Sequence, residues 1–245
     1  MALYARIKQY FDPPAPVMEA RIFVHLMRHG QAYHNLGHSI DQTNVQSYAI
    51  PDPPLTDEGI KQAKAARERM AERCAVPNLV LTSPLARTIE TTLHVFPVAN
   101  NGSRAAQPPI VAYDDLRESG AYLCNVRQDL TVLTDSYSHK GIDFATLSPV
   151  VPPIKSATRT KQRSHIVRKE ILIIAEIIRQ GGGIWKGIYI QGPSVKNVRW
   201  YGHSNVRKDI HIVVVSHGSF MKYLLSGKSY PQVHQLPGQK LTDFM

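Results

Sequence analysis

The chain has 245 residues, of which 43% are hydrophobic and 20% are charged, which is the composition of a folded globular protein. Its two cysteines, Cys74 and Cys124, exclude a disulfide framework and a cysteine-rich zinc site, and its apolar runs are too short to span a membrane. The formal net charge of +10 favours anionic partners, either nucleic acid or phosphorylated molecules.

Residues 1–20 are interpreted as an N-terminal extension, because they carry Asp12 and paired prolines and lack the apolar core of a secretion signal. Together with the low cysteine content, this predicts a cytoplasmic protein without a membrane segment. The length fits one sizeable α/β domain, and we expect a single domain over 1–245.

Apolar runs and amphipathic stretches alternate along the chain. Strands are predicted at 21–27, 78–83, from 109 and at 210–218, and helices at 55–74, 84–96, 156–180 and from 219. Thr56 is the expected N-cap of the first helix, and Ser83 that of the second, with Pro84 at its first helical position. The alternation predicts an α/β fold, a three-layer α/β/α sandwich around a mostly parallel central sheet.

One connection is too long for a simple link between a helix and a strand. Residues 181–209 begin with three glycines and continue with mixed apolar and basic residues. We interpret this stretch as an insertion at the rim of the site, either a hairpin or a flexible flap.

The first predicted strand ends in Arg28, His29 and Gly30, with Asn35 shortly after. Ligands of such sheets bind outside the carboxyl ends of the strands. A neutral imidazole is a competent nucleophile near neutral pH, a guanidinium binds phosphate through paired hydrogen bonds, and glycine lets the backbone approach an anion closely. This pattern favours a phosphate site, with a structural turn as the alternative.

Polar residues at the other strand ends strengthen that interpretation. Arg87 lies in the first turn of a predicted helix, and helix N-termini attract anions. His217 ends the last strand and is expected near His29. Glu118 follows the strand from 109 and is a candidate proton donor to a leaving alkoxide, with a surface salt bridge to Arg117 as the alternative.

These residues stand in five ordered blocks that resemble the histidine phosphatase superfamily, in its phosphoglycerate-mutase-like branch. The blocks are RHGQAYHN from Arg28, PLTDEGIKQA over 54–63, SPLARTIET over 83–91, LRE ending at Glu118, and VVSHG containing His217. The resemblance implies the phosphoglycerate-mutase-like fold. It also implies that His29 is phosphorylated, that Arg28, Arg87 and His217 bind the phosphoryl group with help from Asn35, that Glu118 donates a proton, and that no metal or other cofactor takes part.

The chain departs from the mutases after Glu118. There the run ESGAYLCNVRQ lacks the arginine pair that mutases carry, so a hydrolase is favoured over a mutase. The stretch is similar to a phosphatase subgroup of fungi and plants that has a polar loop after the glutamate. This makes Asn125 and Arg127 candidate substrate contacts, with a purely structural loop as the alternative.

Three functions are carried forward. The first is a metal-independent phosphomonoesterase that hydrolyses a small phosphorylated metabolite through a phosphohistidine. The second is a non-hydrolytic or repurposed family member that uses the anion pocket for binding or for tailoring a specialised metabolite. The third, a nucleic-acid or protein scaffold on a basic face, is disfavoured because the chain carries no recognised nucleic-acid motif. Substrate identity and homo-oligomerisation are left open.

Overall fold

The computed structural model describes residues 20–40, 45–74, 76–98, 107–153, 157–192 and 209–226. The strands are β1 (Ile22–Arg28), β2 (Leu79–Thr82), β3 (Ile110–Ala112), β4 (Ile142–Asp143), β5 (Gly182–Trp185), β6 (Ile188–Gln191) and β7 (Ile210–Ser216). The α-helices are α1 (Tyr33–Ile40), α2 (Asp57–Arg73), α3 (Ala86–Val95), α4 (Leu130–Tyr137), α5 (Ala157–Arg179) and α6 (Gly218–Leu225). Short 3-10 helices span Val45–Ala49, Asp114–Leu116, Leu123–Asn125 and Ser138–Lys140.

The central sheet has the strand order β1-β7-β2-β3-β4, and each neighbouring pair is parallel. β1 pairs with β7 along its whole length, from Ile22 opposite Ile210 to Arg28 opposite Ser216. The carboxyl ends of β1, β7 and β2 therefore lie side by side at one edge of the sheet. This is the edge at which parallel sheets bind their ligands.

Helices cover both faces of this sheet. On one face, α5 and α6 pack against alternate residues of the strands in a cluster that includes Val24, Leu81, Ile174, Ile212 and Phe220. On the other face, α2, α3 and α4 pack in a cluster that includes Met27, Met70, Ile89, Leu133 and Val213. All four residues of β2 are buried, as expected for a strand covered on both sides. The predicted three-layer α/β/α sandwich with a parallel sheet is confirmed.

The predicted elements are confirmed with small differences at their ends. The long helix predicted at 156–180 is α5, and the strand predicted at 210–218 is β7, which ends two residues earlier. Helices α1 and α4 were not predicted. Both are eight residues long, and neither shows a long amphipathic repeat in the sequence. Within the described ranges, no helix combines the length and the apolar character needed to cross a membrane.

The predicted cap of α2 is confirmed. The Thr56 side chain accepts a hydrogen bond from the backbone N–H of Gly59 at 3.1 Å, and Asp57 and Glu58 occupy the first turn. These two carboxylates lie where the helix dipole favours negative charge.

The predicted cap of α3 is wrong. The helix begins at Ala86, and its N-cap residue, Leu85, makes no side-chain hydrogen bond. Asp52, which lies in the loop before α2, instead accepts a hydrogen bond from the Ala86 N–H at 2.8 Å. Ser83 is directed elsewhere, because its Oγ lies 2.9 Å from Nε2 of His217.

The first part of the predicted insertion is a hairpin made of β5 and β6. Its Trp185, Ile188 and Ile190 are buried in the same cluster as α5, and the indole N–H of Trp185 donates to Glu170 at 2.6 Å. These contacts attach the hairpin to α5. Residues 193–208 and the extension over 1–19 lie outside the described residues, so an insertion at the rim of the site stays a prediction.

Candidate active site

The predicted site residues of β1, β2 and β7 converge at the carboxyl edge of the sheet. The backbone N–H of His29 donates to Ser216 O at 3.0 Å, and that of Ser83 donates to Val215 O at 2.9 Å. The ring centroids of His29 and His217 are 5.1 Å apart. Two histidines that are 188 positions apart in the sequence are thus neighbours at this edge of the sheet.

His29 is buried, with 3% of its surface exposed. Its Nδ1 lies 2.6 Å from the carbonyl oxygen of Gly30, which can only accept, so Nδ1 carries the proton and Nε2 has the lone pair. Burial, followed by the charges of Arg87 and Arg28, lowers the pKa of His29 well below its usual range. The imidazole is therefore neutral at physiological pH, with one nitrogen able to attack an electrophile.

Gly30 is required by packing. A Cβ at this position would lie 2.4 Å from the carbonyl oxygen of Gly59 at the start of α2. The next residue, Gln31, donates its backbone N–H to the side chain of Gln62 and accepts a hydrogen bond from the N–H of Thr56, both at 2.9 Å. In the structure Gly30 admits the backbone of α2, and its predicted close approach to an anion stays a prediction.

Arg87 is fully buried, and its guanidinium is held by the loop after β3. It donates to the carbonyl oxygen of Cys124 at 2.6 Å and to Oδ1 of Asn125 at 3.0 Å. The amide of Asn125 in turn donates to the carbonyl oxygens of Ser119 and Gly120. Asn125, a predicted substrate contact, thus has its side chain occupied in fixing the orientation of Arg87.

Arg28 lies beside the first residue of α6. A Cβ at Gly218 would be 3.5 Å from Nε of Arg28, so the Arg28 side chain lies close to the start of α6. Burial lowers the pKa of Arg28, and the nearby charge of Glu118 opposes that shift. The guanidinium retains its positive charge, because an arginine side chain does not lose its proton in a protein.

His217 is fully buried, and its Nε2 lies 2.9 Å from Oγ of Ser83. Burial, followed by the charges of Arg87, His29 and His34, lowers its pKa well below the usual range. Its other ring nitrogen, Nδ1, is buried and has no hydrogen-bond partner in the described part of the chain. A bound ligand or an ordered water can supply the partner that this nitrogen lacks.

Glu118 connects the loop after β3 to the first turn of α6. Its carboxylate accepts hydrogen bonds from the N–H groups of Ser119 at 2.7 Å, Phe220 at 2.9 Å and Ser219 at 3.3 Å. These bonds place it at the N-terminus of the helix that follows His217. The alternative role, a surface salt bridge with Arg117, is not observed among the described residues, where Arg117 pairs with Asp114.

Asn35 and His34 lie together at the start of α1. Oδ1 of Asn35 accepts from the N–H of Ala32 at 2.9 Å, and its amide nitrogen is 3.2 Å from Nε2 of His34. The His34 ring centroid is 5.7 Å from that of His29. Burial, followed by the charges of Arg87 and Arg28, lowers the pKa of His34 to about 3. Sequence reasoning missed His34, although it stands inside the first motif block, directly before Asn35.

Arg127 is not brought into the pocket. Its buried guanidinium forms a salt bridge with Asp114 at 2.9 Å and donates to the carbonyl oxygens of Gln128 and Ser148. All of these partners belong to the protein, so its geometry fits the structural alternative. Across the described ranges, no three His, Cys, Asp or Glu side chains are arranged to hold a metal ion.

The site as a whole is a cluster of three buried neutral imidazoles, the buried guanidinium of Arg87 and the half-buried guanidinium of Arg28. Besides Nδ1 of His217, the buried atoms without a hydrogen-bond partner among the described residues include Nδ1 of His34 and Nε of Arg87. Charge that is buried with few counter-charges costs free energy, which a bound anion removes. The arrangement is therefore suited to bind an anion beside a nucleophilic nitrogen.

Comparison with known proteins agrees with this geometry. Residues 24–150, more than half of the chain, match the model of the histidine phosphatase superfamily (branch 1). A phosphoglycerate mutase-like protein of Arabidopsis thaliana is 26% identical over 227 residues, which cover 83% of this chain and 73% of the relative. A probable phosphatase of Schizosaccharomyces pombe is 27% identical over 152 residues, covering 61% of this chain and 65% of that one.

Among solved structures, the ecdysone phosphate phosphatase of Bombix mori, determined with tungstate, aligns over 86% of this chain and 80% of its own. The sequence identity is 15% and the TM-score is 0.48. The match of the family model runs from within β1 to beyond β4 and includes Arg28, His29, Arg87 and Glu118. With these residues gathered at one edge of a parallel sheet, the chain belongs to the histidine phosphatase superfamily.

Proposed function

We propose that this protein is a metal-independent phosphomonoesterase that hydrolyses a small organic phosphate through a phosphohistidine at His29. One observation carries the proposal. The Nδ1–H of His29 is bonded to Gly30 O, which leaves the Nε2 lone pair available in a pocket that also contains Arg28 and Arg87. A nucleophilic nitrogen held next to fixed positive charge matches what phosphoryl transfer requires.

In the proposed first step, Nε2 of His29 attacks phosphorus and the ester P–O bond breaks. Arg28, Arg87 and His217 stabilise the negative charge that spreads over the phosphoryl oxygens. The hydrogen bond from Nδ1 to Gly30 O stabilises the positive charge that develops on the imidazole. The proposed step uses no cofactor, because His29 supplies the nucleophile and the two arginines supply the positive charge.

The departing oxygen needs a proton, and Glu118 is the proposed donor. When the carboxyl group gives up its proton, the N–H groups of Ser119 and Phe220 stabilise the carboxylate that forms. In the second step, a water molecule gives its proton to this carboxylate and attacks the phosphohistidine. Phosphate leaves, and His29 returns to its neutral form.

The test is to trap the intermediate. Purified protein is mixed with a radiolabelled aryl phosphate in the presence of EDTA and quenched in base, because a phosphoramidate is stable in base and labile in acid. We expect a labelled adduct and released alcohol with the wild type, and neither with His29→Ala. The variant His165→Ala, which changes an exposed histidine of α5, serves as the matched control and should form the adduct normally.

Two results would contradict the proposal. Activity that disappears with EDTA and returns with a divalent metal would exclude the metal-independent mechanism. A wild-type protein that binds phosphate but forms no adduct with any ester of a broad panel would instead support the binding or repurposed alternative.

A further inference from the structure

We propose that Tyr48 and Tyr122 form an aromatic subsite next to the phosphate pocket, and that this subsite binds a planar ring in the alcohol part of the substrate. The substrate class is then a phosphate ester whose alcohol carries an aromatic ring close to the ester oxygen. The inference rests on the proposed phosphatase function, because it concerns the leaving group of that reaction.

A row of aromatic rings leads from the nucleophile to the surface. The centroid of the His34 ring lies 5.7 Å from that of His29 and 6.2 Å from that of Tyr48. The centroid of Tyr48 lies 4.8 Å from that of Tyr122, with 30° between the ring planes. At each step the separation is within the range of favourable aromatic contacts. The two tyrosines are thus continuous with the pocket.

The loop that carries Tyr122 is the one that holds Arg87. Residues 118–125 begin at Glu118 and end at Asn125, whose side chain binds both Arg87 and the carbonyl oxygens of the loop. Gly120 has a φ of +96°, and a Cβ there would lie 2.9 Å from the ring of Tyr122. The ring therefore lies against the loop backbone in a defined position.

The outer part of this row remains open to solvent. Tyr122 is 46% exposed and the next residue, Leu123, is 52% exposed. Packing of the loop does not need this surface, since Cys124 and Asn125 are the residues that are buried beneath it. An exposed aromatic and aliphatic surface at the entrance of a polar pocket is typical of a site that binds the apolar part of a ligand.

Tyr48 identifies which part of the substrate this surface meets. The Tyr48 ring packs on the Tyr122 ring with 4.8 Å between their centroids. Tyr122 belongs to the same short loop as Glu118, the proposed proton donor, which it follows by four residues. A proton donor faces the leaving oxygen, so the two tyrosines flank the alcohol rather than the phosphoryl group.

The experiment compares ligands that differ only in the ring. Benzyl phosphate and butyl phosphate have alcohols of similar acidity, so a difference in kcat/KM does not arise from the leaving group itself. Their phosphonate analogues, benzylphosphonate and butylphosphonate, cannot be hydrolysed and report binding alone by calorimetry. Cyclohexylmethylphosphonate adds a ring of equal size that is not planar.

We expect benzylphosphonate to bind roughly tenfold more tightly than the butyl and cyclohexylmethyl phosphonates. We also expect benzyl phosphate to have a kcat/KM roughly tenfold above that of butyl phosphate. A factor of roughly ten is the scale of one aromatic contact. Tyr122→Leu should remove this preference, whereas Tyr122→Phe should keep it. Tyr189→Leu changes a tyrosine of the β5–β6 hairpin that is 66% exposed, and this control should leave the preference unchanged.

Equal binding of the three phosphonates to the wild type would overturn the subsite, and so would a preference that persists in Tyr122→Leu. The wild-type comparison decides the question even if that variant does not fold. Failure of the proposed function is distinguishable from failure of the subsite. If neither ester is hydrolysed but benzylphosphonate binds roughly tenfold more tightly, the phosphatase proposal fails and the subsite stands.

Discussion

Replacing His34 by glutamine should flatten the dependence of protein stability on pH. His34 is buried, and burial together with nearby arginines lowers its pKa to about 3. In the unfolded chain its pKa returns to about 6.5, so the unfolded state binds a proton that the folded state does not. A histidine with a lowered pKa contributes full stability above about pH 6.5, and this contribution is lost as the pH falls towards the folded pKa.

The size of the effect follows from the two pKa values. At about pH 5 the pH lies about 1.5 units below the pKa of this side chain in the unfolded state. Its protonation there lowers the free energy of unfolding by about 2 kcal/mol relative to about pH 7.5. The result is insensitive to the folded pKa as long as that value stays below about 4. Between these two pH values, the free energy of unfolding of His34→Gln should therefore fall by about 2 kcal/mol less than that of the wild type.

The measurement is urea unfolding at the two pH values, in a buffer free of phosphate and sulfate so that the pocket stays empty. Asp52, whose pKa burial raises to about 6, shifts stability in the opposite sense but contributes equally to both proteins. His165→Gln, at an exposed position of α5, should behave like the wild type. Equal losses for the wild type and His34→Gln would refute the conclusion that His34 is buried in its neutral form.

Two further predictions concern the anion and the leaving group. Glu118→Gln should slow hydrolysis of an alkyl phosphate more than that of a nitrophenyl phosphate, because only the alkoxide needs a proton as it departs. If steady-state rates fall equally for both esters, Glu118 is not the proton donor. Arg87→Ala should weaken competitive inhibition by inorganic phosphate by about 2 kcal/mol, and Asn125→Ala by about 1 kcal/mol through loss of the bond that orients Arg87. Lys169→Ala, which removes an exposed charge from α5, is the control, and an unchanged inhibition constant in Arg87→Ala would place that residue outside the site.

The fold was predictable from local pattern. β1, β2 and β7 are short apolar runs, and amphipathic stretches with clear ends separate them. Once the strands are parallel, their carboxyl ends must meet, so the proximity of His29, Arg87 and His217 follows without any knowledge of side-chain contacts. Four of the five family motifs added the chemistry, because they lie at or just after the ends of β1, β2, β3 and β7.

The parts that were not predictable depend on how loops pack. Asn125 and Arg127 are two positions apart and equally polar, yet one binds Arg87 and the other pairs with Asp114. Nothing local separates them, since the difference arises from where the backbone of 118–128 turns. The cap of α3 was unpredictable for the same reason. Its acceptor, Asp52, lies 34 positions before Ala86, whose N–H donates the hydrogen bond.

The close approach of Gly30 and Gly59 explains why the block over 54–63 accompanies the motifs that carry the candidate site residues. From the block over 54–63, Gly59 leaves no room for a Cβ at Gly30, while Thr56 and Gln62 bind the backbone of Gln31. Residues 54–63 therefore contact the two residues that follow His29 and fix the position of the backbone there. A substitution such as Gly59→Ala would place a methyl group 2.0 Å from the carbonyl oxygen of Gln31. We expect it to displace His29, the proposed nucleophile, although residue 59 contributes no side chain to the site.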